Sequence, residues 1–257
     1  MRWKLNMTKV SACIISFNEE KKIEDCLKSL IGIVDEIIVV DSCSTDKTLE
    51  IAYRYTDKIY TQEFLGHIEQ KNLAVSKASH DWVLSLDCDE RLSDTLKDTI
   101  INLLPNIEQY DAYKMARKTY YVYRWLNHCW YPDMKIRLFN RNKAKWGGVN
   151  PHDKVEVDGE NFQTIKGDIL HYSFDSISAH IQTLDKFTEI GAQEIIKRGK
   201  RVNLLSPFTH ALWTFVRMYI IRRGFLDGLA GLVASVLSFM HVYVKYSKVL
   251  VARRTKI

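Results

Sequence analysis

The chain has only five cysteines, an odd number, and none of Cys13, Cys26, Cys43, Cys88 and Cys129 forms a CxxC pair. That argues against a disulfide framework and a zinc knuckle, and fits a reducing compartment. No GxGxxG follows the first apolar segment, which ends in Ser16-Phe17-Asn18-Glu19, so the dinucleotide fingerprint of oxidoreductases is missing. There is no internal repeat and no low-complexity tract. The basic start, Met1 to Met7, leads into a short, polar-interrupted apolar run, Val10 to Phe17, without a small-residue cleavage signature. A strand is expected there, not a signal peptide.

What is present suffices for a packed core. The 257 residues are 46% apolar and 26% charged, which fits one larger α/β domain, or one domain with an appendage. The net charge of +6 is unevenly spread. From Lys197 onward there are 12 Lys/Arg and one acid, Asp227, which leaves 25 bases against 30 acids before it. A mildly acidic body with a strongly basic tail points to contact with an anionic surface.

Apolar patterning predicts strand, helix, strand, helix, strand over the first ninety residues. Val10 to Phe17 is rich in β-branched residues; Ile23, Leu27, Leu30 and Ile31 share a helical face. Ile37 to Val40 is a continuous apolar run ending at Asp41. The Ser/Thr/Asp cluster from Ser42 to Asp46 offers N-caps for a helix through Tyr55. A brief strand over Lys58 to Tyr60, a helix over His67 to Lys77 and a strand over Trp82 to Leu86 follow. The expected fold class is α/β, with a mostly parallel sheet covered by helices. In such sheets the site lies beyond the carboxyl ends of the strands, and here Asn18-Glu19, Asp41 and Asp87-Asp89 would converge on one edge. From Asp111 to Ile169, pieces such as Ala112 to Ala116, Lys135 to Phe139 and Lys154 to Val157 suggest mixed or antiparallel strands. A helix is expected from Ser176 to about Lys197.

Asp87 and Asp89 stand two apart at a strand end. In extended chain their carboxylates point the same way and make a hard-oxygen site suited to Mg²⁺ or Mn²⁺. Ser-Phe-Asn-Glu-Glu (16–20), Asp-Ser-Cys-Ser-Thr-Asp-Lys-Thr (41–48), Gln-Lys-Asn-Leu-Ala (70–74) and Leu-Asp-Cys-Asp-Glu (86–90) come in the order and spacing of family 2 glycosyltransferases, which this chain resembles. Trp130-Tyr131-Pro132-Asp133, Arg137-Leu138-Phe139, Pro151-His152-Asp153 and His171-Tyr172 are similar to a narrower group that adds sugars, often glucose onto heptose, to the lipopolysaccharide inner core.

The resemblance implies a GT-A fold and a nucleotide-sugar donor, here a UDP-sugar such as UDP-glucose. It implies Asp41 at the uracil, Glu19 near the ribose, and Lys71 near the nucleotide or diphosphate, with Asp87 also on the donor side. Asp87, Asp89 and His171 are the implied metal ligands. Asp153 stands where the family places its catalytic acid, often Glu in relatives, and Asp133 is the second choice for that base. Inverting transfer requires such a base to take the acceptor hydroxyl's proton. The loop from Tyr120 to Tyr131 offers either an acceptor wall or core packing. Two rivals stay open: transfer to polyprenyl phosphate, an acceptor that needs no base, and an inactive membrane-binding module, against which the intact strand-end acids weigh.

The expected domains are 8–200, the catalytic part, and 201–257, a helical tail. Leu204 to Ile221 and Phe225 to Val244 are apolar and flanked by Arg217, Arg222, Arg223, Lys245, Lys248, Arg253 and Arg254. Aliphatic surface beside bases suits a membrane interface and not nucleic acid. Leu229 to Val244 falls short of the about 20 residues of a comfortable span. The expected partners are thus a lipid-linked saccharide acceptor and a membrane surface, met peripherally on the cytoplasmic face of a bacterial-type inner membrane.

Overall fold

The computed structural model describes residues 8–149 and 152–255, with only the backbone of His152. The basic start and Pro151 lie outside the described residues.

The first part alternates as the patterning predicts. β1 (Val10–Ser16), α1 (Ile23–Leu30), β2 (Glu36–Asp41), α2 (Thr48–Ala52), β3 (Ile59–Thr61), α3 (His67–Ser76) and β4 (Trp82–Asp87) follow one another. β1 pairs in parallel with both β2 and β4, and β2 with β3. Next come β5 (Glu90–Leu92), α4 (Asp94–Leu103), β6 (Ala112–Tyr121), β7 (Arg124–Trp125) and β8 (Asp133–Asn140). β9 (Ala144–Val149), β10 (His152–Val157) and β11 (Phe162–Phe174) complete the strands. The large sheet has the order β3-β2-β1-β4-β8-β6-β11-β5, with β7 on the end of β6, and β9 and β10 form a separate antiparallel hairpin. β8 runs antiparallel to β4 and to β6, so the second half is antiparallel, as expected.

The parallel strands read as unbroken apolar runs because both sheet faces are covered. Ala12, Ile14 and Leu84 join a core with Leu27, Leu96 and Ile100 on one face. Cys13, Ile38, Val40 and Val83 join Ala74, Phe139 and Trp146 on the other. Each fully buried aliphatic side chain contributes about 1.5–3 kcal/mol by leaving water. Ile31 departs from its expected face. It is the extended residue that ends α1, and it is 59% exposed.

The chain divides into two compact units, Met1–Arg117 with Asp133–His171, and Lys118–Pro132 with Tyr172–Ile257. The compositional change near residue 200 is not where this division falls. α5 (Ile177–Lys197) belongs to the second unit, where it packs along the last helix. The second unit also holds α6 (Ser206–Phe215), a π-helical turn (Val216–Ile221), a 3₁₀ turn (Gly224–Asp227) and α7 (Gly228–Arg254). The helical stretch Gly224–Arg254 is long and apolar enough to cross a membrane by length and composition, more than the expected Leu229 to Val244. A third of its most apolar window is buried in protein, where a stripe of Ala230, Gly231, Ala234 and Ser235 faces inward.

Candidate functional site

Register brings three strand ends to one edge: Ser16 lies beside Asp41, and Ile15 beside Asp87. The first two motifs prove to be one latch. Asp41 is fully buried, and its carboxylate accepts bonds from the Ser16 hydroxyl (2.7 Å), the Ser44 amide (2.7 Å) and the Ser44 hydroxyl (2.6 Å). Asn18, held at a positive φ of 53°, donates its amide to the Ser44 hydroxyl and accepts from the Thr45 amide, each at 2.8 Å. The Glu19 amide donates to the Thr48 hydroxyl at 2.7 Å. The Ser/Thr/Asp cluster therefore ties the loop after β2 to the loop after β1, and its Asp46 accepts the amide of Thr48 at the start of α2. The Phe17 ring, carried on this brace, is 58% exposed. Sequence reading gave it no role, although a large apolar residue at a carboxyl edge is a signal. Glu19 is half-buried on the same loop.

The Gln-Lys-Asn run on α3 points three side chains to three places. Gln70, buried, donates to the Ser42 hydroxyl and the Gln62 carbonyl. Asn72 exchanges two bonds with the backbone of Trp146 and so pins the β9–β10 hairpin to α3. Lys71 is 4% exposed, and its ammonium sits 3.0 Å from Asp87 and 2.7 Å from Asp153 on that hairpin, with the Trp146 ring 4.3 Å away. Lys71, Asp87 and Asp153 are thus brought together across 82 residues of sequence.

Behind them lies a buried ion network that the sequence reading missed. Glu90 is fully buried; Arg137 bonds it at 2.8 and 3.2 Å and reaches Asp87 at 3.2 Å. Arg117 bridges Glu90 (3.2 Å) and Asp133 (2.7 Å). An arginine inside the apolar run from Ile136 to Phe139 was the available signal, since buried charges come paired. Burial alone would raise the Glu90 carboxyl, but the Arg137 and Arg117 charges outweigh it and hold it down at about 2. Asp87 is likewise held well below the usual carboxylate range, its burial outweighed by Lys71 and Arg137. Asp133 lies low for the same reason, with Arg117 and Lys135 as partners.

A pH dependence follows. A depressed carboxyl stabilises the fold above its unfolded value, and that contribution is lost as pH falls towards the folded one. Thermal melts should therefore fall steeply between about pH 4.5 and pH 2 as Glu90 and its neighbours protonate. Glu90→Gln leaves Arg137 without its anion and should cost about 3–5 kcal/mol in urea denaturation at neutral pH. Equal stability of the variant and the parent at pH 7 would show that the network contributes nothing.

Asp87 and Asp89 do not continue one strand in the structure. Strand alternation stops at Asp87, because Cys88 and Asp89 form a turn, and the two carboxylates take different partners. Asp89 lies 3.2 Å from Nε2 of His171, which stands opposite Glu90 in the β11–β5 register. Nδ1 of His171 is buried without a hydrogen bond. Among the described residues no three His, Cys, Asp or Glu groups converge as a metal site. The donor set that fits a hard cation is therefore Asp89 with His171, two protein ligands. Mg²⁺ and Mn²⁺ accept such a set when substrate phosphates and water complete the shell. Asp87 is bonded to Lys71 and Arg137 instead.

The second unit holds the aromatic loop. Tyr120, Trp125 and Tyr172 form a half-buried trio with ring centres 5.1–5.4 Å apart. Tyr121, Leu126 and Cys129 instead pack against Ala230 and Ala234. The loop is thus core packing at Tyr121, Leu126 and Cys129, while Tyr120 and Trp125 stay half-buried.

Residues 11–153 match the sequence profile of the family described as Glycosyl transferase family 2. An uncharacterized glycosyltransferase of Rickettsia typhi is 31% identical over 94% of this chain and 87% of its own length. The lipopolysaccharide core biosynthesis glycosyltransferase LpsC of Rhizobium meliloti is 26% identical over 93% of this chain and 91% of its own. Among solved structures, glucosyl-3-phosphoglycerate synthase of Mycobacterium tuberculosis with Mn²⁺ and UDP-glucose is 26% identical, covering 42% of this chain and 43% of its own, with a TM-score of 0.36. The chain belongs to glycosyltransferase family 2: it is a glycosyltransferase with a GT-A-like α/β fold.

Proposed function

We propose that this glycosyltransferase moves glucose from UDP-glucose, with inversion and with a divalent cation, onto a lipid-anchored saccharide such as the lipopolysaccharide inner core. It would work as a peripheral enzyme on the cytoplasmic face of the inner membrane. One observation carries the chemical part: Lys71 joins Asp87 and Asp153 at the carboxyl edge, with Asp89 and His171 close in sequence and register. The acceptor class rests on the likeness to LpsC, a lipopolysaccharide core biosynthesis glycosyltransferase, over nearly the whole chain.

In this reading Asp153 takes the proton from the acceptor hydroxyl as its oxygen attacks the anomeric carbon. The carbon–oxygen bond to the diphosphate breaks in the same step, and no sugar–enzyme bond forms. Asp89 and His171 would hold a cation, which would supply positive charge to the departing diphosphate. Lys71 adds a second positive charge nearby. The latch around Asp41 shapes the nucleotide end, with Phe17 as an exposed ring suited to a base. The Asp41 carboxylate already accepts two bonds at Oδ1 and one at Oδ2, so its expected contact with uracil would use the remaining acceptor site on Oδ2.

A donor screen by nucleotide release, with lipopolysaccharide core fragments as acceptor, tests the proposal. UDP-glucose is expected to turn over and other nucleotide sugars to lag. In the same assay Asp41→Ala should raise the donor KM about tenfold and leave kcat within a few-fold, because a contact remote from the reacting carbon serves ground and transition states alike. A large kcat loss at constant KM would place Asp41 in the chemistry instead.

A further inference from the structure

The tail bases are not equivalent in the structure. Lys248, near the C-terminal end of α7, is engaged by Asp185 (2.9 Å) and Glu189 (3.3 Å) of α5. Arg253 donates to the Lys200 carbonyl at 2.6 Å. Lys245 is partly buried, with its stem over Gly191, and burial lowers its pKa. That end of α7 is bound to its own protein. The other end differs. Between the π-helical turn and the first turn of α7, Ile220, Ile221, Phe225, Leu226 and Leu229 are 47–66% exposed. Arg217, Arg222 and Arg223 are exposed in the same stretch.

Five large apolar side chains exposed within ten residues are unusual for a soluble surface. Their mixture with arginines, and with no acid but the fully buried Asp227, is what an anionic lipid interface demands. This tip is also firmly built. A Cβ on Gly231 would stand 2.0 Å from the Gly224 carbonyl oxygen, so the 3₁₀ turn lies directly on α7. Asp227 accepts the backbone amides of Asn127 (2.8 Å), His128 (3.0 Å) and Cys129 (3.0 Å), and contacts the His128 ring at 3.0 Å. The aromatic loop is therefore clamped to the tip by one buried carboxylate.

We infer that the Ile220–Leu229 tip docks on an anionic bilayer surface, and that Asp227 makes the Asn127–Cys129 loop part of the docked body. This deepens the lipid-linked acceptor reading and rests on it for its purpose. Docking itself needs neither donor nor acceptor, so the two can fail separately.

The full chain is sedimented with phosphatidylglycerol-containing vesicles and with pure phosphatidylcholine vesicles. Binding is expected to be at least about tenfold stronger to the anionic ones and to weaken at high salt. Phe225→Ser/Leu226→Ser/Leu229→Ser, all at exposed positions, should lower the bound fraction at least about tenfold. Arg222→Glu/Arg223→Glu should remove the anionic preference, whereas Lys248→Gln should change little. Hydrogen exchange then reads the clamp: amides at Asn127–Cys129 should gain protection on vesicle addition, and Asp227→Asn should lose that gain while still binding. Wild-type indifference to vesicles, or a serine variant that binds like wild type, overturns the docking. So does self-association in vesicle-free solution that the serine variant abolishes, which would make the tip a copy-to-copy interface. Vesicle binding without added loop protection overturns the clamp. Failed docking beside intact transfer to a soluble core fragment leaves the proposed activity standing.

Discussion

Asp89→Ala is expected to abolish transfer, and excess EDTA should do the same to the parent enzyme, with Mn²⁺ or Mg²⁺ restoring the parent alone. The departing group is a diphosphate, and its developing charge has to be met in a site with little water. The described carboxylates cannot do that; they add negative charge. Lys71 and Arg137 are already matched against Asp87, Asp153 and Glu90. In the proposed reaction a cation on Asp89 and His171 would add the positive charge, and with only two protein ligands it would depend on the donor's own phosphates. Metal affinity measured without donor should therefore be weak, and UDP should tighten it. His171→Ala should weaken metal binding while retaining part of the turnover. Asp87→Ala should behave differently and lower stability, because it removes the anion between two buried cations. Undiminished activity in excess chelator would remove the metal role from Asp89 and His171 together.

The contrast between Asp87 and Asp89 shows where sequence reading carries and where it stops. Short apolar runs such as Ile37 to Val40 and Trp82 to Leu86, which holds one serine, read as strands covered on both faces, and their polar ends marked the working edge. Spacing of two within Asp87-Cys88-Asp89 was legible too, but its geometry was not. Whether the strand continues past Asp87 depends on the turn into β5 and on Glu90, whose partners Arg117 and Arg137 lie on strands far along the chain. Long-range partners leave no local pattern. Lys71 illustrates this: it is one lysine on a short helix until the β9–β10 hairpin brings Asp153 to it. The tail shows the same limit, because a count of its bases cannot tell that Lys248 faces α5 while Arg222 and Arg223 lie exposed at the other end of the apolar stretch.

Asp153→Asn should lower kcat by about 10²- to 10⁴-fold, roughly 3–5 kcal/mol of barrier, with donor KM held within a few-fold. Removing a charge but not the shape leaves the hairpin in place, since Asn72 and not Asp153 pins Trp146. Nucleotide binding should therefore survive, and isothermal titration with UDP reads that separately from turnover. The Lys71 bond sharpens the expectation. The Lys71 ammonium contacts the Asp153 carboxylate at 2.7 Å and so occupies one of its oxygens. Incoming diphosphate competes for the same ammonium, so donor binding should loosen Asp153 just before it is needed, and kinetics should show donor binding ahead of acceptor. Asp153→Glu tests reach: the longer acid should keep much more activity than Asn. Full activity of Asp153→Asn would end the base assignment. It would favour an acceptor that arrives already ionised, such as a polyprenyl phosphate, for which no proton has to be removed.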